Sequence, residues 1–155
     1  MKAKYFDVVV ANHMLYHIPD RPLALSEIQR VLKLAGQFYA STIGERHLSE
    51  VADLLSKFDA GLASWPNRID SFTLEKWKTQ LSQWFTEVKL YRYEDALEVT
   101  KVAPLVDYIL SGRINMSGPR RDQFREFVAH EIESRGGTFH ITKDSGLFVS
   151  VPKGE

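Results

Sequence analysis

A valine-rich run near the start of the chain constrains the fold more than any other feature. Phe6 to Ala11 is apolar almost throughout, which is typical of a strand buried on both faces of a parallel sheet. Asp20 is placed to cap a helix that is predicted to reach about Lys33. Gly36 should end that helix before a second strand, Gln37 to Thr42. The segment therefore predicts one right-handed βαβ unit.

The remainder of the chain continues as helices and strands. Apolar residues three and four apart indicate helices over 46–61, 74–85, 102–112 and 121–137. Strict alternation over 87–94 indicates a strand near the margin of the sheet. The last apolar runs, over 138–151, flank Lys143 to Gly146 (KDSG), a turn sequence in which Gly146 would supply a positive φ. A terminal hairpin is expected there.

Length and composition limit the domain organisation and the partners. A chain of 155 residues with 44% hydrophobic residues is sufficient for one globular domain, predicted over 1–155 with flexible connections near 61–71 and 112–119. Twenty basic residues balance 20 acidic ones, so neither nucleic acid nor an anionic membrane is expected as a partner.

Cysteine and long apolar segments are both missing from the sequence. The cysteine count is 0, which excludes disulfides, thiolate catalysis and zinc-thiolate sites. The sequence has neither a long apolar span nor a signal-like N-terminus, and a soluble, cytoplasmic protein is therefore expected.

The order of motifs along the chain resembles a known family. The first strand is followed by ANHMLYHIPD, a helix containing EIQRVLK, and GQFYAST. This arrangement resembles the class I S-adenosylmethionine-dependent methyltransferases, and the likeness continues through 72–111 and HITKDSGLFVSV. The resemblance implies the later half of a Rossmann-like α/β fold, from its fourth strand onward. That sheet is mostly parallel, is flanked by helices, and has an antiparallel last strand.

Two parts of the family's pattern are missing or changed. The resemblance implies a Gly-rich cofactor loop after the first strand of the family fold and a ribose-binding acid after the second. No such loop occurs in these 155 residues, and the family's usual Pro-Gly-Gly turn reads Leu34, Ala35 and Gly36. The expectation is a truncated methyltransferase-like protein that does not bind the cofactor or transfer a methyl group alone.

The candidate cofactor site follows the first strand. Open α/β sheets bind ligands at the carboxyl ends of their strands. By resemblance, Ala11 and Asn12 would offer backbone groups to S-adenosylmethionine, while His13, Met14 and His17 would line the wall beside its methionine and sulfonium portion. The alternative is an ordinary turn at Asn12 with His17 packed over the loop.

Other residue patterns are weaker candidates for chemistry. His13 and His17 are four residues apart, but they lack an HExxH context and a third ligand, so no metal site is predicted. Ser41 lies in ASTIG, which differs from the GxSxG elbow, and is given no catalytic role. Four arginines could bind an anion or simply form a solvated helix entry, and the second interpretation is favoured; they are Arg113, Arg120, Arg121 and Arg125. Trp77 and Trp84 are predicted to be core residues, whereas Trp65 lies in a loop.

Three functions remain open: an inactive truncated methyltransferase, a transferase completed by another chain, and a non-enzymatic association module. An active form would take a small-molecule methyl acceptor. With no preceding strand beside it, the run from Phe6 to Ala11 would form an apolar sheet edge, which is prone to pair with another strand. A homo-oligomer formed through this strand is therefore expected.

Overall fold

The computed structural model describes residues 4–62, 72–112 and 114–154, which form an α/β fold. Four strands make one sheet in the order β1-β2-β4-β3, in which β1 is parallel to β2 and β4 is antiparallel to β2. The strands are β1 (Phe6–Asn12), β2 (Leu32–Ile43), β3 (Phe85–Val99) and β4 (Phe139–Pro152). The helices are α1 (Arg21–Val31), α2 (Ser49–Phe58), α3 (Trp77–Leu81), α4 (Val102–Ser111) and α5 (Gly118–Ser134), with short 3₁₀ turns at Leu15–His17 and Ala60–Leu62. The antiparallel C-terminal strand confirms the expected fold class.

The predicted βαβ unit is present, with a different join between helix and strand. The Asp20 carboxylate accepts a hydrogen bond from the Leu23 N–H at 3.0 Å and caps α1 as expected. The helix ends at Val31 instead of Lys33, because β2 begins at the next residue. Gly36 consequently lies inside β2, in the irregular part of the β1–β2 register. A Cβ atom at Gly36 would lie 3.0 Å from the Asp7 carbonyl oxygen, so glycine permits a close approach of the strands.

Strand β1 forms one edge of the described sheet. The expectation that both of its faces are buried is wrong, because Val8 and Val10 are 49% and 56% exposed. Ala11 is buried and Val9 packs against a hydrophobic core cluster. Only one face of this strand is therefore covered by the described residues.

The expected terminal hairpin is also wrong. Residues Lys143 to Gly146 continue β4 without a turn, and Ser145 and Gly146 pair with Ile43 and Thr42. Gly146 has no positive φ. A Cβ atom there would lie 2.8 Å from Leu74 Cδ2 and 3.1 Å from the Tyr91 carbonyl oxygen. This glycine therefore serves close packing within the fold, not a reverse turn.

An ion pair gives the physical reason why this segment stays extended. The Asp144 side chain is 1% exposed, and both of its oxygens accept hydrogen bonds from the Arg92 guanidinium. The Asp144 carbonyl oxygen accepts from the Gly44 N–H at 3.0 Å. A carboxylate held in this way cannot turn outward without losing charge-assisted hydrogen bonds.

The segment around α3 contains less helix and more strand than expected. α3 spans only Trp77–Leu81, and β3 already begins at Phe85. Thr73 Oγ1 accepts a hydrogen bond from the Lys76 N–H at 3.3 Å, as a capping residue would. Trp77 and Trp84 pack against the core, as predicted. Trp65 lies outside the described residues.

The described residues divide into two compact units. The first contains 4–47, 72–94 and 144–154, and its core includes Phe38, Phe72, Phe85 and Phe148. The second contains 48–62, 95–112 and 114–143, and its core is formed by α2, α4, α5 and the start of β4. The candidate site residues all belong to the first unit.

The described arginines of the predicted cluster lie on the surface of the second unit. Arg120 forms an ion pair with Asp59, and Arg121 lies 3.0 Å from Asp107. Arg125 is exposed, and Arg113 lies outside the described residues. This arrangement supports a solvated helix entry. Among the residues that the structure describes, none of the helices is long and apolar enough to cross a membrane.

Candidate functional site

The candidate site begins where β1 and β2 end side by side. The two strands are parallel, and their last paired residues are Ala11 with Ala40 and Asn12 with Ser41. Parallel strands present their carboxyl ends at the same edge of a sheet, which is where open α/β folds bind ligands. Asn12 and Ser41 therefore mark the ligand-binding edge of this part of the sheet.

Ser41 organises the first turn of the loop that follows β1. The His13 N–H donates to both the backbone oxygen and the Oγ of Ser41, at 3.1 Å each. The Ser41 hydroxyl in turn donates to Asn12 Oδ1 at 3.4 Å. His13 has φ 47°, a left-handed conformation that costs free energy in a non-glycine residue. The bonds to Ser41 offset part of this cost.

The centre of the same loop is held by Arg21. Leu15 is 1% exposed, and its carbonyl oxygen accepts a hydrogen bond from Arg21 Nε at 2.9 Å. Arg21 Nη1 donates to Gln80 Oε1 at 2.8 Å, and the guanidinium lies 5.8 Å from the centre of the Phe72 ring. Burial lowers the pKa of Arg21 below its ordinary value. The arginine thus connects the loop to α3 through Gln80.

The predicted site residues differ in what they present to solvent. Ala11 is 2% exposed, so it can offer only backbone groups. Asn12, His13 and His17 are exposed, and Met14 is 43% exposed. Ser41 brings Asn12 and His13 together. His17 lies at the end of the 3₁₀ turn with its ring 4.5 Å from that of Tyr16, whose pKa is raised by burial.

Sequence reasoning missed Ser41 and Arg21 as residues of this site. The position of Ser41 at the end of the second parallel strand was a usable signal, because neighbouring strand ends share one edge. Arg21 gave no comparable signal, since its partner Gln80 is 59 positions away in the chain. His13 and His17 do not belong to a metal cluster: the described part of the chain has no group of three His, Cys, Asp or Glu side chains that could hold an ion.

A second polar network lies just beyond the carboxyl end of β2. His47 is half-buried, and its Nδ1 accepts a hydrogen bond from the Asp144 N–H at 3.0 Å. Arg92 lies 3.0 Å from Glu75 Oε1 as well as pairing with Asp144. Hydrogen bonds from Arg92 hold the pKa of Asp144 below its ordinary value, and the carboxylate raises the pKa of Arg92. Both groups therefore stay charged across the neutral range.

An apolar groove lies on the outer side of β1. Its volume is about 370 Å³, and its lining residues are Phe6, Val8, Val9, Glu27, Ile28 and Val31. These residues come from β1 and α1. The groove and the candidate site thus share one strand, with the groove along its side and the site at its end.

The first quarter of the chain is similar in sequence to a known domain family. The family model of the methyltransferase domain matches residues 1–40. This segment contains β1, α1 and most of β2, including all five predicted site residues. No curated protein sequence matches the chain.

Solved structures with TM-scores above 0.5 show the same fold at low sequence identity. The YcgJ protein of Bacillus subtilis has a TM-score of 0.54 and 13% identity over 100% of this chain and 67% of its own. A SAM-dependent methyltransferase of Archaeoglobus fulgidus has a TM-score of 0.51 and 19% identity, covering 99% of this chain and 62% of its own. Haemonchus contortus phosphoethanolamine N-methyltransferase 2, solved with S-adenosyl-L-methionine, has a TM-score of 0.46 and 16% identity, covering 97% of this chain and 34% of its own. The chain thus spans about two thirds of the first two proteins and one third of the last.

Proposed function

We propose that this chain carries one wall of a methyl-donor site. Two findings support the proposal: residues 1–40 match the methyltransferase domain, and the fold is similar to that of S-adenosylmethionine-dependent methyltransferases. We further propose that these 155 residues do not bind S-adenosylmethionine or transfer a methyl group by themselves. The function is therefore that of a methyltransferase-like half domain.

The position of the candidate loop carries the proposal. Asn12 and His13 lie at the carboxyl end of β1, and Ser41 of the neighbouring parallel strand β2 holds them there. Backbone and side-chain groups at such an edge suit a polar ligand. These groups would contact one side of the cofactor only, because the 155 residues contain no Gly-rich loop to contact its other side.

The proposed residues have limited roles. Asn12 would orient the cofactor's amino-acid portion through its backbone, and Met14 and His17 would cover its sulfonium side. S-adenosylmethionine, when bound, supplies an activated methyl group. Methyl transfer depends on holding donor and acceptor in line at near-contact distance. A single wall leaves the donor free to reorient, which supports the proposed inactivity of these residues alone.

Calorimetric titration with S-adenosylmethionine tests the proposal directly. The expected result is no saturable heat from the folded chain, while the Archaeoglobus fulgidus methyltransferase serves as the positive control under the same conditions. A stoichiometric isotherm with the chain alone would refute the proposed lack of binding. In that case, Met14→Ala and His17→Ala should weaken binding if the proposed wall is right, whereas His140→Ala, in the part of β4 that belongs to the other unit, should leave it unchanged.

A second candidate function is a non-enzymatic association module on the same scaffold. The observation that favours it is the outer side of β1, where Val8 and Val10 are exposed beside the apolar groove. The remaining alternative, a transferase completed by another chain, has a different signature. It predicts binding of S-adenosylmethionine only after a polypeptide carrying the preceding strands of a methyltransferase domain is added.

A further inference from the structure

The outer edge of β1 has the properties of a protein contact surface. We propose that it pairs antiparallel with β1 of a second copy of this chain, with Val8 opposite Val8 at the two-fold axis. This inference rests on the second candidate function, association through the scaffold. It does not require that the chain bind a cofactor.

Exposure and charge both favour pairing at this edge. Tyr5, Val8 and Val10 are 61%, 49% and 56% exposed. Valine is favourable in a strand mainly when neighbouring side chains cover it, so the exposed valines favour the addition of a strand. The only charged residue of β1 is Asp7, and Lys33 Nζ lies 2.8 Å from its carboxylate. An added strand would therefore pair with an edge on which the single charge, that of Asp7, is already neutralised by Lys33.

The other edge of the sheet is protected in ways that β1 is not. β3 carries six charged residues along its 15 positions, namely Glu87, Lys89, Arg92, Glu94, Asp95 and Glu98. Glu87 also has φ 50°, which interrupts the regular strand. Charges and irregular backbone are the usual devices that prevent strands from adding to an edge. Pairing is therefore expected at β1 and not at β3.

The sequence of β1 suits a second copy of itself. With Val8 opposite Val8, an antiparallel register places Phe6 opposite Val10 and Asp7 opposite Val9. Asp7 is the charged residue of β1 and lies opposite a valine, so no residue of the strand lies directly opposite a like charge. The groove beside Phe6, Val8 and Ile28 would cover side chains of the added strand.

Two-fold symmetry also makes this arrangement self-limiting. An antiparallel pair uses the same surface on both copies and closes after two chains. Parallel addition of the same strand would leave a new free β1 edge and would continue. A discrete dimer is therefore the expected assembly.

Charge-swapped variants test the pairing in solution. The wild-type chain should be dimeric by light scattering at micromolar concentration. Val8→Lys should raise the dimer dissociation constant roughly tenfold or more, because it places two lysines opposite each other. Val8→Glu should act in the same way, and an equimolar mixture of the two variants should associate again. Tyr91→Lys, at an exposed position of β3, is the matched control and should leave the dimer intact.

A cysteine crosslink tests the register. Because the chain has 0 cysteines, Val8→Cys introduces a unique thiol, and opposed antiparallel residues have a Cα separation that a disulfide can span. Oxidation should give a covalent dimer, whereas Tyr91→Cys should not.

Four results would overturn the proposal. They are a monomer throughout the micromolar range, a dimer insensitive to Val8→Lys, failure of the mixed variants to associate, and absence of the Val8→Cys crosslink. A monomer that instead takes up a strand from another protein would assign the edge to that partner and would likewise refute self-pairing. None of these measurements uses S-adenosylmethionine, so they succeed or fail independently of the calorimetric test.

Discussion

The two edge strands of the sheet are stabilised in different ways. β3 contributes Phe85 to the core and Arg92 to a buried ion pair, and its exposed positions are rich in charge. β1 buries Ala11 but exposes two of its three valines, and its one ion pair lies at the surface. β3 also exposes Tyr91, Tyr93 and Leu97, at 59%, 65% and 44%. Within the described residues the two edges therefore differ mainly in charge, since β3 carries six charged residues and β1 carries one.

The largest difference between the edges should appear on truncating a core residue of β3. Phe85 is 1% exposed and stacks on Phe38 with ring centres 4.9 Å apart. Phe85→Ala should lower the free energy of unfolding by about 3 to 5 kcal/mol. Urea denaturation followed by circular dichroism measures this loss. Val8→Ala, measured below the dimer dissociation constant, is the control; a comparable loss from it would contradict the contrast.

The ion pair behind β3 should give the next largest effect. Asp144→Asn should cost about 2 to 3 kcal/mol, since Arg92 loses a charged acceptor whose side chain is 1% exposed. The cost should depend on pH. Because folding lowers the pKa of Asp144 from its ordinary 3.8, the carboxylate stabilises the fold fully above that value and loses this effect as the pH falls through the lowered pKa.

Unfolding of wild type and Asp144→Asn should therefore be compared at neutral and acid pH. The difference in stability should be largest at neutral pH and should shrink toward pH values below the lowered pKa. A difference that stays constant with pH would show that the carboxylate's charge does not stabilise this part of the sheet. Asp95→Asn, at an exposed position of β3, provides a matched substitution with a small expected effect.

A smaller effect is expected where β1 ends. Ser41→Ala removes the hydroxyl that accepts from the His13 N–H and donates to Asn12. The expected loss is about 1 kcal/mol, with faster amide hydrogen exchange at His13. Ser26→Ala, on the exposed side of α1, removes a hydroxyl elsewhere and should leave exchange at His13 unchanged. Unchanged exchange in Ser41→Ala would show that the backbone alone holds the turn.

The smallest effect should come from the surface ion pair of β1. Lys33→Ala removes the partner of Asp7, whose side chain is 79% exposed, and should change the free energy of unfolding by less than about 0.5 kcal/mol. It should weaken the proposed dimer more than it weakens the fold, because Asp7 would then carry an uncompensated charge. Thermal unfolding and light scattering of the same samples separate the two effects.

Local sequence signals predicted the elements that depend on near neighbours. The cap at Asp20, the valine strand and the antiparallel last strand follow from residue patterns or from the family resemblance. That resemblance to the class I S-adenosylmethionine-dependent methyltransferases is confirmed by the domain match over residues 1–40 and by the shared fold. The roles of Asn12, His13, Met14 and His17 remain predictions.

The errors arose where distant residues decide the outcome. KDSG has the composition of a turn, but Asp144 meets Arg92 across 52 positions and Gly146 packs against Leu74. Strand pairing and a buried ion pair therefore override the local turn preference. The contact between Arg21 and Gln80 is of the same kind. Such long-range partners could not be identified from a single sequence.

The order of strands also has a consequence for folding during synthesis. β1, α1 and β2 are adjacent in sequence and can assemble as soon as they leave the ribosome. β3 is made next, but β4 separates it from β2 in the sheet and is synthesised only after α4 and α5. Nascent chains that end before Phe139 would hold β3 without its neighbour, exposing Phe85 and Leu90. Chaperone capture of ribosome-bound chains should therefore fall sharply once β4 has emerged.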